Sequence, residues 1–205
     1  MEPVDLALCL AVDVSASVDF DEFALMVGGL AAAFRDEGVQ ALATGGRRGA
    51  IAVACLFWSD ATDVALPWAR LSSPADAASI AAALLDAPRL PRPGATALGA
   101  GLAAALGLLA RCPAEATRQV VDVSGDGRSN RGPPPGPARD VGVAAGVTIN
   151  GLAILNEEPD LLTHYREEVI GGPGAFALDC RDYEDFADAI RAKLVREIRG
   201  GAFTA

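Results

Sequence analysis

The chain has 205 residues, of which 51% are hydrophobic and 21% charged, and a formal net charge of −10. That apolar content excludes a disordered chain and can bury one substantial core, so a single α/β domain is expected across residues 1–205. A polyanion is repelled by nucleic acid and by anionic membrane surfaces, and no apolar run reaches the roughly 18 residues of a membrane span, so proteins, basic groups or a bound cation are the expected partners.

Residues 4–12 are apolar apart from Asp5 and stop at Asp13-Val14-Ser15-Ala16-Ser17, which predicts a buried strand running into a polar loop. Phe20, Phe23, Ala24, Val27, Leu30, Ala31 and Phe34 then recur at helical steps, with Asp19 and Glu22 as a capping pair and Gly38 as a stop. Residues 50–58 and 63–68 read as two strands joined by the short Asp60-Ala61-Thr62 turn, a link that allows only an antiparallel hairpin. Pro74 opens a helix on Ala77, Ile80, Ala81, Leu84 and Leu85, and the proline-rich stretch 88–94 that follows reads as a loop.

From Thr96 a helix runs on Leu98, Leu102, Ala105, Leu106 and Leu109. Residues 119–123 form a short strand ending in Ser124-Gly125-Asp126-Gly127-Arg128-Ser129-Asn130. A stiff proline-rich segment at 132–137 leads into a short helix at 138–145 and a strand at 147–155. Helix is expected at 161–170 and a final strand at 175–178, before a closing helix on Tyr183, Phe186, Ala187, Ile190, Leu194 and Ile198, capped by Asp182.

Strands alternating with helices imply a doubly wound α/β sandwich of three layers, its six-stranded sheet mostly parallel with one antiparallel edge strand. Such sheets bind ligands beyond the carboxyl ends of their strands. Three polar segments fall there: Asp13 to Ser17, Pro93-Gly94-Ala95-Thr96, and Gly125-Asp126-Gly127. Each supplies oxygen and none supplies nitrogen or sulfur. Two carboxylates and three hydroxyls suit a hard cation such as Mg2+, with Mn2+ or Ca2+ as substitutes, whereas zinc favours histidine or cysteine.

Asp13-x-Ser15-x-Ser17, Thr96 within Pro-Gly-Ala-Thr-Ala-Leu-Gly, and Asp126 followed by glycine together resemble the metal-ion-dependent adhesion site of von Willebrand factor type A domains. The order of strands and helices, early hairpin included, is similar to that family over nearly the entire chain. The resemblance implies a Rossmann-like fold and a metal carried by the hydroxyls of Ser15, Ser17 and Thr96, with Asp13 and Asp126 holding it directly or through water. It also implies a binding module and no enzyme, in which the cation bridges to an acidic side chain of a partner protein. The Gly-Asp-Gly-Arg-Ser-Asn loop and the Val-Asp-Val-Ser start further resemble a bacterial branch of the family whose members are often exported. Residues 1–5 carry neither a basic start nor a cleavage site, so no secretory leader is expected in this chain and its compartment stays open.

Taken singly, each segment has a plainer reading: Ser15, Ser17 and Asp19 as caps of the first helix, Thr96 as the cap of the helix it precedes, and Asp126 as a turn residue. Convergence at one sheet edge is what capping leaves unexplained. A magnesium-dependent phosphatase of the haloacid dehalogenase type is the alternative, because it also pairs an aspartate after the first strand with a later Gly-Asp-Gly-x-x-Asn-like loop. Its second aspartate would fall where Ser15 stands, and the only lysine, Lys193, comes after the acidic loop instead of before it. Gly99 and Gly101 lie inside a helical pattern, which favours packing over phosphate binding. Cys9, Cys55, Cys112 and Cys180 form no C-x-x-C pair and are expected as buried or idle thiols, a disulfide staying open; Trp58 and Trp68 are expected in the core, and His164 on the surface.

Overall fold

The first strand, β1 (Val4–Asp13), is buried along almost its whole length. Both its faces are therefore covered, which explains why its sequence is a continuous apolar run instead of an alternation. It sits third from one edge of a six-stranded sheet. The computed structural model describes residues 1–200; residues 201–205, the end of the expected domain, lie outside the described residues.

β2 (Ile51–Trp58) and β4 (Ala116–Gly125) flank β1 in parallel, β5 (Thr148–Ile154) and β6 (Ala177–Cys180) continue the sheet in parallel, and β3 (Thr62–Leu71) closes the other edge antiparallel to β2. The sheet is thus the expected one. β3 runs longer than residues 63–68 and carries Pro67, whose missing N–H is tolerated on an edge strand; the β2–β3 register shifts beside it, between Val53 and Leu56. The final strand lies two residues later than residues 175–178.

Helices cover both faces. On one, α1 (Phe20–Arg35), α2 (Glu37–Thr44), α3 (Pro74–Leu85) and α7 (Phe186–Arg199) pack on Leu6, Leu8, Leu10, Ile51, Val53 and their neighbours. On the other, α4 (Leu98–Leu109), α5 (Pro135–Ala144) and α6 (Leu161–His164) pack on Ala7, Cys9, Ala54, Trp58 and Ile149. The residues of β1 alternate between these two cores, so each layer is anchored by the same strand.

Local chemistry explains several boundaries. Asp19 and Glu22 close a reciprocal capping box at the start of α1, as expected. Gly38 is not the stop assigned to it: α1 ends at Arg35, and Asp36 caps a new helix by accepting from the Val39 N–H at 3.0 Å, placing Gly38 inside α2. Residues 161–170 do not form one regular helix, because α6 gives way after His164 to a π-helical turn over Tyr165–Val169. Tyr183 and Asp182 precede the closing helix instead of belonging to it; Asp182 accepts from the Asp185 N–H at 3.1 Å, and α7 begins at Phe186.

Trp58 is fully buried, while Trp68 is half-buried and donates its indole N–H to Leu108 O at 3.3 Å. A Cβ on Gly101 would strike the Trp58 ring at 2.7 Å, and one on Gly99 would meet the carbonyls of Pro133 and Pro134. Close packing is therefore what these two glycines serve. The four cysteines are free, three of them buried. His164 is half-buried instead of superficial, and burial lowers its pKa.

Candidate metal centre

β1 delivers Asp13 at its carboxyl end and the chain then turns sharply. The turn is fixed by Asp13 itself, whose Oδ1 accepts from the Ser15 N–H at 2.8 Å. Ser15 is buried, and its Oγ lies 3.2 Å from Ser17 Oγ and accepts from Thr96 Oγ1 at 3.3 Å. Ser17 Oγ in turn donates to Asp126 Oδ1 at 2.8 Å, across 109 residues of sequence. The five oxygen-bearing side chains singled out from the sequence thus form one connected cluster.

None of them serves as a helix cap. α1 is capped by Asp19, two residues past Ser17, and α4 starts after Ala97 with no side-chain cap, leaving the Thr96 hydroxyl free to face Ser15. Hydrogen bonds lock the three loops together: Ala16 N–H to Gly94 O at 2.9 Å, Asn130 N–H to Thr96 O at 2.9 Å, and Thr96 N–H to the Asn130 side-chain oxygen at 2.9 Å. Arg89 adds a fourth segment by donating to the carbonyls of Ser15 and Val18.

The electrostatics of this cluster are unbalanced. Asp13 and Asp126 are both fully buried, and the Oδ2 atom of each lacks a hydrogen-bond partner. Burial, then the charge of Asp126, pushes the Asp13 carboxyl up to about 8, against the lowering effect of its bonds to Ser15. Burial likewise raises Asp126, opposed by Ser17 and by the Tyr183 hydroxyl. Buried carboxylates with orphaned oxygens are costly by themselves, and the two Oδ2 atoms are donors of the kind a cation takes. Among the described residues no three His, Cys, Asp or Glu side chains converge, so the donor set is carboxylate and hydroxyl oxygen, the chemistry of a hard divalent ion.

Sequence reasoning missed what lies beneath the cluster. Tyr165 and Tyr183, both buried, carry hydroxyls without hydrogen-bond partners. Neither stood in a polar motif: Tyr165 falls at the helical spacing of Leu161 and Val169, and Tyr183 heads the apolar stripe of the closing helix, so both read as core residues. A second buried polar group was also missed: Lys193 on α7 lies between Asp122 of β4 and Glu197, bonding Glu197 at 2.9 Å and pairing with Asp122. Asn150 of β5 completes it by donating to Glu197 at 3.0 Å.

This sheet order, helix placement and loop geometry define the von Willebrand factor type A fold. The structure superposes on the type A protein of Catenulispora acidiphila with a TM-score of 0.69 at 17% identity, over 96% of this chain and 43% of that one. It superposes on proximal thread matrix protein 1 of the mussel byssus, in a structure described as having a zinc-occupied MIDAS motif, with a TM-score of 0.63 at 19% identity, over 96% and 48%. The PilB minor pilin of Streptococcus sanguinis gives a TM-score of 0.67 at 13% identity, over 96% and 62%. This chain therefore spans less than half the length of the first two of these proteins. No curated protein matches the sequence. By sequence the chain belongs to the family described as "Protein of unknown function (DUF1194)", which matches residues 3–202.

Proposed function

We propose that the chain is a metal-dependent protein-binding module, formed by residues 1–205 as one domain, and is not an enzyme. Ser15, Ser17 and Thr96 hold a divalent cation through their hydroxyls, and Asp13 and Asp126 hold it directly or through water. The observation that carries this reading is the pair of buried, partnerless Oδ2 atoms on Asp13 and Asp126 within a cluster of oxygen donors. The hard donor set favours Mg2+, with Mn2+ or Ca2+ as substitutes, although the byssus relative is described with zinc. One coordination position is left for an acidic side chain of the partner. Without the cation, a protein of charge −10 would repel such a group. The pilin and a second relative, the pilus adhesin SpaC of Lactobacillus rhamnosus GG, support placement outside the cytoplasm.

The phosphatase alternative lacks its parts. The position of its second aspartate is Ser15, bonded to Thr96 and next to Ser17. The only lysine is enclosed between Asp122 and Glu197 and has no exposed surface with which to meet a phosphate. Titrating Mg2+ or Mn2+ into chelator-treated protein is expected to raise the melting temperature, and Asp13→Ala to abolish the rise. An intact protein that shows no shift would sink the proposal, while phosphoester hydrolysis dependent on Asp13 would promote the alternative. Pull-downs with and without chelator then identify the partner.

A further inference from the structure

Three features of the chain converge on one hydroxyl. The π-helical turn that begins at Tyr165 carries the ring under the sheet edge. Gly151 of β5 leaves room for that ring, since a Cβ there would lie 2.5 Å from Tyr165 Cδ1. Gly125 of β4 leaves room for its tip: a Cβ there would lie 2.9 Å from the Tyr165 hydroxyl and 3.0 Å from Asp13 Oδ2. The phenol and the orphaned carboxylate oxygen therefore flank the same point in space. The Tyr183 hydroxyl, also buried and without a partner, lowers the pKa of the other carboxyl, Asp126. Four buried oxygens, two phenolic and two carboxylate, are thus all without partners. An unmade hydrogen bond at a buried group is costly, and the two phenols carry the donors that the two carboxylates lack.

We infer that Tyr165 and Tyr183 are positioning residues of the metal centre, their hydroxyls donating to Asp13 Oδ2 and Asp126 Oδ2 and so aiming both carboxylates at the cation. The inference rests on the metal-binding reading above. Burial, followed by the neighbouring aspartates, raises both phenols well above their ordinary pKa, so each stays protonated and can act as donor. Groups of this kind behind metal ligands orient them, and their loss typically weakens metal binding about 10–100-fold.

The test uses Tyr165→Phe and Tyr183→Phe, which remove one oxygen each and keep the ring. Mn2+ affinity is measured by calorimetry across pH 5 to 9, beside the melting temperature of the metal-free protein. The expected result is a loss of affinity of about tenfold or more. The pH midpoint of binding should also move upward, because a carboxylate without its donor is harder to ionise, while the metal-free melting temperature changes by only a few degrees. Unchanged affinity and pH profile, whatever happens to the melting temperature, overturns the inference and leaves the metal site standing. A wild-type protein that binds no Mn2+ overturns both. Should Tyr165→Phe fail to fold, the Tyr183 variant, on a loop, decides alone by the same criteria.

Discussion

The tetrapeptide Val-Asp-Val-Ser occurs twice, at residues 12–15 and 121–124, on the neighbouring strands β1 and β4. In the first copy Asp13 is the last residue of its strand and Ser15 lies beyond it, at the edge where loops meet. In the second, Asp122 pairs across the sheet with Leu10 and so lies deeper, on the face that α7 covers. Both aspartates are buried beside a second carboxylate, Asp126 for one and Glu197 for the other. The difference is the cation. Lys193 is built into the deep site, where burial alone would lower its pKa but Asp122 and Glu197 carry it above its ordinary value. At the edge site no cation sits between the two carboxylates: Arg89 lowers the Asp13 pKa from a distance but spends its hydrogen bonds on the carbonyls of Ser15 and Val18. Identical local sequence thus serves a permanent internal ion cluster in one place and a candidate ligand-exchange site in the other.

Removing the built-in cation should give the largest effect. Lys193→Met leaves Asp122 and Glu197 buried without a counter-charge, and loss of about 3–5 kcal/mol is expected in urea unfolding. A loss below about 1 kcal/mol would show that water or protonation already neutralises that site. At the edge site the sign reverses: Asp13→Asn removes one of two mutually repelling carboxylates, so the metal-free protein is expected to become more stable. The same variant should lose the stabilisation by metal, which for the wild type is about 2.7 kcal/mol at a hundredfold excess over Kd. If Asp13→Asn destabilises the metal-free chain, the claimed imbalance between the two sites is wrong.

The pH dependence sharpens the comparison further. Asp13 titrates near 3.8 ordinarily and near 8 when folded, so between those values the folded chain keeps a proton that the unfolded chain has released. Stability of the metal-free protein should therefore fall from about pH 4 to pH 8 and level off above. Glu197, raised by burial and the charge of Asp122 against the lowering effect of Lys193, adds a decline of the same sign. Asp13→Asn is expected to remove only the first part, and saturating Mg2+ should flatten the same part by holding the carboxylate ionised; identical slopes in urea midpoints with and without Mg2+ would contradict this. The smallest effect belongs to Asp19→Ala, which deletes the capping box of α1 just beyond the edge site. A loss of about 1 kcal/mol is expected, with the metal-induced shift preserved, since Asp19 belongs to the helix and not to the cluster.

How much of this was legible before folding differs between the sites. The edge site could be read because each of its segments interrupts an apolar strand with polar residues: Asp13, Ser15 and Ser17 after β1, Asp126 after β4, and Thr96 among Gly and Pro before α4. The deep site was overlooked although it breaks two patterns: Asp122 interrupts the apolar stretch Val120 to Val123 of a strand buried on both faces, and Lys193 and Glu197 fall at the helical spacing of Phe186 and Ile190, on the buried face of α7. Tyr165 and Tyr183 were hidden because they are aromatic residues in stretches where core packing is the ordinary expectation.

Strand and helix periodicity, the short hairpin link and the loop chemistry sufficed to determine the doubly wound architecture and the five oxygen side chains at one edge, because these depend on neighbours a few residues apart. The π-helical turn at Tyr165, the lysine enclosed by two acids and the phenols beneath the edge site were decided only by tertiary structure. Each depends on distant residues meeting in a dry interior, where one missing partner outweighs any local preference.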